Sequence, residues 1–238
     1  GSRGRDVLTD FIGDAELKSI MSDGYNAYAF IGNELKAAET PNLSKTDHQV
    51  CLAHARAKFV KASEQAGDKN ADIFIKYIED LYNLERQYTK DNLTDEERGK
   101  QRQGLETKDI LINLRTHLGI EKSKDPATVT PYLQKALNYL DTFWANIFTY
   151  IKDGSYPIDN NAAERAVRPL TTQRNNMFHF GSDEGAKMAA TYHSIISTVK
   201  LQGRSAWDYL GKFFVNIFNG CRDFFSLRPG NIGLATCQ

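Results

Sequence analysis

From about residue 66 to residue 153 the hydrophobic pattern is helical, and this block limits what the rest of the chain can fold into. Ile73, Phe74, Tyr77, Ile78, Leu81 and Leu84 recur three and four residues apart, the spacing that lines one face of a helix. Thr94 with Glu97 has the form of a capping box, opening a charged helix that turns apolar at Ile110, Leu111 and Leu114. Thr130 before Pro131 reads as an N-cap with proline at the first helical position, and that helix is expected to reach Gly154. The two ends of the chain are left for any β structure.

Ahead of the block, Leu17–Ser22 reads as a short strand stopped by Asp23-Gly24, which puts a carboxylate at the strand's C-terminal end. His48–Ala53 is a second strand candidate, running into a helix from about His54 to Gln65. Beyond the block, Tyr156–Ala186 begins with a polar helix carrying Asn160, Asn161, Glu164, Arg165 and Arg168, expected to end at Pro169. Met177–Gly181 is an aromatic stretch with strand character. Ser182 caps a helix ending near Gly203, and Ser205, with Asp208 three residues on, caps another ending at Gly220. The fold class is therefore α/β but predominantly helical.

Lys plus Arg and Asp plus Glu each total 30, so the net charge is zero and does not point to a polyanionic partner. The distribution is less even. Residues 54–63 carry three cations and no acid, and residues 126–238 carry 11 against 8. Hydrophobic residues at 41% and charged residues at 25% fit a globular domain. No apolar run is long enough to cross a bilayer, so no membrane partner is expected. Three scattered cysteines, Cys51, Cys221 and Cys237, argue against a disulfide framework and fit a cytoplasmic location.

Two sets of residues invite a chemical reading. Asp23, at a strand end, is placed as a metal-holding carboxylate would be, and Glu164 projects from a helix with Arg168 one turn later. Each also has a plain structural reading, as a turn-capping Asp and a Glu–Arg pair on a solvated helix face. His48, Cys51 and His54 have ligand-like spacing, but zinc usually takes four ligands and no second pair stands at a suitable spacing. A buried cysteine beside a helix-start histidine is the better reading there.

Four stretches in order, DGYNAY at 23–28, CLAHARAKF at 51–59, YPIDNNAAERAVRPL at 156–170 and RNNMFHFGSDEGA at 174–186, resemble the catalytic region of the insertion-sequence sixty-six family of bacterial DDE transposases. The resemblance implies an RNase H-like fold whose sheet presents three acidic residues to divalent metal, Mg²⁺ or Mn²⁺. Asp23 matches the second acidic residue and Glu164 the third. His54, Arg56, Asn160, Asn161, Arg165, Arg168 and Arg174 match positions near the site where DNA would be contacted. The family's first acidic residue belongs on a strand well upstream of Asp23, so the chain is expected to be a C-terminal piece, an incomplete RNase H-like fold with a large all-helical insertion. On that reading residues 1–65 are a partial core, 66–153 the insertion, and 154–238 the part bearing the third acidic residue and the closing helices.

The implied function is metal-dependent cleavage and strand transfer of double-stranded DNA at transposon ends and target, with self-association, by a chain inactive on its own. Two other classes stay open. One is a non-catalytic DNA-binding or assembly module whose polar helix contacts phosphate; the other is an RNase H-like nuclease without strand transfer.

Overall fold

The computed structural model describes residues 4–33, 40–177 and 180–234. It is 69% helix and 4% strand. In chain order the elements are α1 (Arg5–Ile12), β1 (Ser19–Ser22), α2 (Pro41–Ser44), β2 (Asp47–Val50), α3 (Leu52–Ala66), α4 (Lys69–Lys90), α5 (Asp95–Arg102), α6 (Leu105–Ser123), α7 (Pro131–Thr142), α8 (Trp144–Ile147), α9 (Asn161–Met177), α10 (Asp183–Leu201) and α11 (Ala206–Phe218). Single 3₁₀ turns cover Asn26–Tyr28, Pro126–Thr128, Phe148–Lys152 and Ile232–Leu234. The chain divides into two compact units, residues 1–161 and 162–238.

In the first unit β1 and β2 pair in parallel, with Ser19 opposite Asp47 and Ser22 opposite Val50. Parallel neighbours need a crossover connection, and residues 23–46 supply it. The expected strands are present, each shorter than the sequence suggests. The core lies under α3, α4, α6 and α7. Phe59 of α3 stacks on Phe74 of α4 with ring centroids 4.5 Å apart, and Leu81, Leu114, Leu118, Leu133 and Leu140 close around them. Of the periodic residues, Phe74, Ile78 and Leu81 are buried, because α4 turns that face onto α3, while Ile73 at its edge stays exposed.

Local start signals behave as read. Thr94 and Glu97 form a reciprocal capping box, and Thr130, Ser182 and Ser205 each accept a hydrogen bond from a first-turn amide. The helix opened by Thr130 does not reach Gly154. It stops at Thr142 and continues as α8 and a 3₁₀ turn, because Phe143 leaves the helix geometry while its ring meets Gly24 and Tyr139.

A buried ion pair ties the helices to the loop after α8. The Arg102 side chain is 2% exposed, binds both Glu85 carboxylate oxygens at 2.7 and 2.8 Å, and donates to the carbonyls of Tyr150 and Asp153. Each of its three nitrogens therefore donates at least one hydrogen bond, as a buried guanidinium requires.

The second unit has a smaller core of Val199, Tyr209, Cys221, Leu227 and Ile232, with the Tyr209 hydroxyl donating to the Leu227 carbonyl at 3.0 Å. Two expectations are corrected here. Pro169 does not end the polar helix; α9 runs through it to Met177. The carbonyl that loses its partner, on Arg165, sits on an exposed stretch where water can replace the bond. Cys221 is disulfide-bonded, whereas Cys51 is a free, buried thiol; scattered positions in sequence do not report which sulfurs meet in space. Of the aromatic stretch expected as a strand, Met177 closes α9 and residues 178–179 lie outside the described residues. Among the described residues no helix is long and apolar enough to cross a membrane.

Candidate functional site

Asp23 follows the last residue of β1, and its turn is built by side chains from far along the chain. Buried Ser22 shares a 2.9 Å hydrogen bond with His48 Nε2, and its oxygen accepts from the Gly24 amide at 3.2 Å. Burial holds the His48 imidazole below its ordinary pKa, so the ring is neutral near pH 7. From α7, the Tyr139 hydroxyl donates to the Asp23 carbonyl at 2.7 Å. Burial, followed by the nearness of Cys51 and Asp23, raises the Tyr139 pKa, which keeps it a neutral donor. Gly24 has φ +82, and a Cβ there would meet Phe143 and the Tyr139 hydroxyl at 3.0 Å. Only glycine suits both the left-handed backbone and the space. The Asp23 carboxylate itself is exposed, with Oδ1 accepting from the Tyr25 amide at 3.0 Å.

The segment before α9 is strapped to the start of α3. The Asn160 amide donates to the Cys51 sulfur at 3.4 Å, and the Leu52 amide to the Ile158 carbonyl at 3.4 Å. Asp159 accepts from the Tyr82 hydroxyl at 2.9 Å and from the Asn161 amide and side chain at 3.0 and 2.7 Å. Burial, then the Asp159 charge, pushes the Tyr82 pKa well above the usual range, so this phenol stays protonated. Asn160 Oδ1 is buried and has no hydrogen-bond partner among the described residues. Two of the predicted DNA-contacting residues, Asn160 and Asn161, are thus already engaged in hydrogen bonds within the first unit.

Arg56 lies on the neighbouring surface, its Nε 3.8 Å from Glu79, which also binds Arg86 at 2.6 Å. Arg56, Arg86, Glu79, Tyr82, Asp159 and Asn161 line an open hollow of about 620 Å³ over α3 and α4. His54 is half-buried in the first turn of α3. His48, Cys51 and His54 do not form a metal centre: His48 is spent on Ser22 and Cys51 on Asn160. Sequence reading missed Tyr82, Asp159 and Tyr139, because what makes them matter is contact across tens of residues.

In the second unit, α9 presents Glu164, Arg165 and Arg168 to solvent, with Arg174 exposed two turns further on. Gln173 Oε1 and His193 Nε2, 2.7 Å apart, tie α9 to α10. Glu164 therefore has the exposed setting predicted for it.

Carboxylate oxygens suit Mg²⁺ or Mn²⁺, hard ions that prefer oxygen ligands. The number of donors is not met: among the described residues, no three His, Cys, Asp or Glu side chains gather closely enough to hold an ion. Asp23 is thus a held, solvent-facing carboxylate and not by itself a metal centre.

The family model for the IS66 transposases matches residues 1–188, and the chain belongs to that family. Among curated proteins it is similar to two uncharacterized proteins of Sinorhizobium fredii. It is 26% identical to y4jD over 201 residues, covering 84% of this chain, and 28% identical to y4qI over 216 residues, covering 89%. The chain spans 38% of the length of each of these relatives. No solved structure matches it.

Proposed function

We propose that this chain is part of the catalytic region of a DNA transposase, that its parallel β1–β2 pair belongs to an RNase H-like core, and that Asp23 and Glu164 are two of the acidic residues acting on DNA. Membership of the IS66 family supports the class. The observation that carries the site is the Asp23 turn. Tyr139, Gly24, Ser22 and His48 fix its backbone and leave the carboxylate in solvent, where a substrate or ion can reach it.

A bound Mg²⁺ or Mn²⁺ would supply an activated water and stabilise the leaving 3′-oxygen of a phosphodiester. What this chain's residues do is narrower. Asp23 offers an oxygen ligand at a fixed strand end, and Glu164 offers another from α9. Arg165, Arg168 and Arg174 offer guanidinium forks that suit phosphate oxygens.

The test is end cleavage and strand transfer by the full-length polypeptide with Mg²⁺, comparing wild type with Asp23→Asn and Glu164→Gln. Both substitutions are expected to abolish joined and cut products while leaving the protein folded. Full activity in either variant sinks that residue's assignment. Nicked but never joined DNA points instead to a nuclease. One observation favours a DNA-binding module without catalysis, namely that Glu164 and its arginines form a continuous exposed face. That module would bind DNA in a salt-dependent way, without divalent ions and regardless of Asp23→Asn.

A further inference from the structure

The three cations of residues 54–63 part company once α3 forms. Arg56 turns to Glu79. Lys58 and Lys61, three residues apart and so neighbours on the helix surface, turn to α7. The Lys58 ammonium lies 4.5 Å from the centroid of the Tyr139 ring, and that of Lys61 lies 5.4 Å from the centroid of Tyr132. Both distances are within cation–π range. Among the described residues neither lysine has a carboxylate at ion-pair distance, while Arg56, Arg86, Arg115 and Lys122 each have one.

We propose that Lys58 and Lys61, held over Tyr139 and Tyr132, form a ridge that contacts the phosphate backbone of duplex DNA lying against Asp23. This rests on the transposase reading above. Three features carry it. The ridge begins at the candidate carboxylate, because Tyr139 is the residue that bonds the Asp23 carbonyl. It has the right length for a backbone track: Tyr132 and Tyr139 are seven residues apart on one helix, about 10 Å along its axis, or roughly three nucleotides of one strand. Its charges are uncompensated and partly ordered. Resting on a ring restrains a long lysine side chain before the ligand arrives, which lowers the entropy lost on binding. Lys135, exposed on α7 between the two tyrosines in sequence, adds a third cation to the same helix.

The rings also say which part of DNA is met. A ring face already occupied by an ammonium is not open to a stacked base, so the ridge offers charge to phosphates and reads no sequence.

The test is binding of the full chain to two unrelated duplexes across a range of salt. For Lys58→Ala/Lys61→Ala, losing two phosphate contacts should make the slope of log affinity against log salt shallower by about 1.8, equally for both duplexes. Lys58→Arg/Lys61→Arg should keep the wild-type slope. The same pair of deletions away from the ridge, Lys90→Ala/Lys108→Ala, should leave it nearly unchanged. The ridge is refuted if the full chain binds no duplex, if the control pair lowers the slope as much, or if only single-stranded DNA loses affinity. The catalytic assignment fails separately. A shallower slope in the lysine variant, with cleavage indifferent to Asp23→Asn, keeps the ridge and removes the catalytic role. Cleavage abolished by Asp23→Asn, with the lysine variant's slope unchanged, does the reverse.

Discussion

Residues 1–161 and residues 162–238 are both mostly helical, yet they use their apolar side chains differently. In the first unit the large side chains Phe59, Phe74, Leu114 and Leu137 are at most 2% exposed and share one core. In the second, Trp207, Phe218 and Leu201 are more than 80% exposed, and the core is a small cluster around Tyr209. The candidate acidic residues follow the same divide. Asp23 sits on a backbone fixed by groups up to 116 residues away, whereas Glu164 rides on a helix exposed along most of its length. Geometry around Asp23 is therefore set by long-range packing, whereas Glu164 stands on an exposed helix face.

The contrast can be broken most forcefully in the first unit. Arg102→Ala leaves Glu85 buried without its partner, and Phe74→Ala leaves a cavity against Phe59. Each is expected to cost about 3–5 kcal/mol, read from denaturant unfolding. A loss below about 1 kcal/mol for both would mean that this core is far looser than its burial implies.

Gly24→Ala is a smaller and more local change. The left-handed backbone alone costs about 1–2 kcal/mol, and the clash with Phe143 and Tyr139 adds to it. Any activity of the full-length protein should fall further than this stability loss explains. Activity that merely tracks the folded fraction would mean that the turn does not position Asp23. Removing only the bond to its carbonyl, with Tyr139→Phe, should cost about 1 kcal/mol.

His48 sharpens the comparison through pH. Its folded pKa lies below the ordinary 6.5, so as pH falls below about 6.5 the unfolded chain takes up a proton that the folded chain refuses. The stability tied to His48 is complete above pH 6.5 and is lost as the pH drops toward the folded value. The urea midpoint of the first unit should fall over that window, and His48→Gln should flatten the fall. An unchanged profile in the variant would assign the acid sensitivity to other groups. At the bottom of the scale, Trp207→Ser and Phe218→Ser in the second unit should alter stability by no more than about 0.5 kcal/mol, since neither residue is buried there.

Much of the local architecture was legible because its causes are local. Ser or Thr ahead of a helix announces its own cap, and a three-and-four spacing announces a buried face, as at Thr94, Thr130, Ser182, Ser205 and along α4. The failures have equally specific causes. Phe143 breaks the predicted helix because its ring is taken up against Gly24, far earlier in the chain. Pro169 fails to end α9 because the helix around it is solvated and can tolerate one missing bond. For the candidate site, the position of Asp23 at a strand end was readable, but the residues that hold it there were not.

By itself the sequence determined the helical middle, the two short strands before it, the carboxylate after β1 and the motifs that place the chain in the IS66 family. Tertiary structure alone decided what each charge and ring would do. Arg56, Lys58 and Lys61 look equivalent along the chain, yet one meets Glu79 and the other two meet tyrosines, according to which face of α3 each occupies. Tyr139 becomes the anchor of Asp23 only when α7 packs against α3 beside β1. Periodicity and caps act over a few residues and are written in local order. Pairings between distant side chains depend on how helices pack, which is set by the whole core at once.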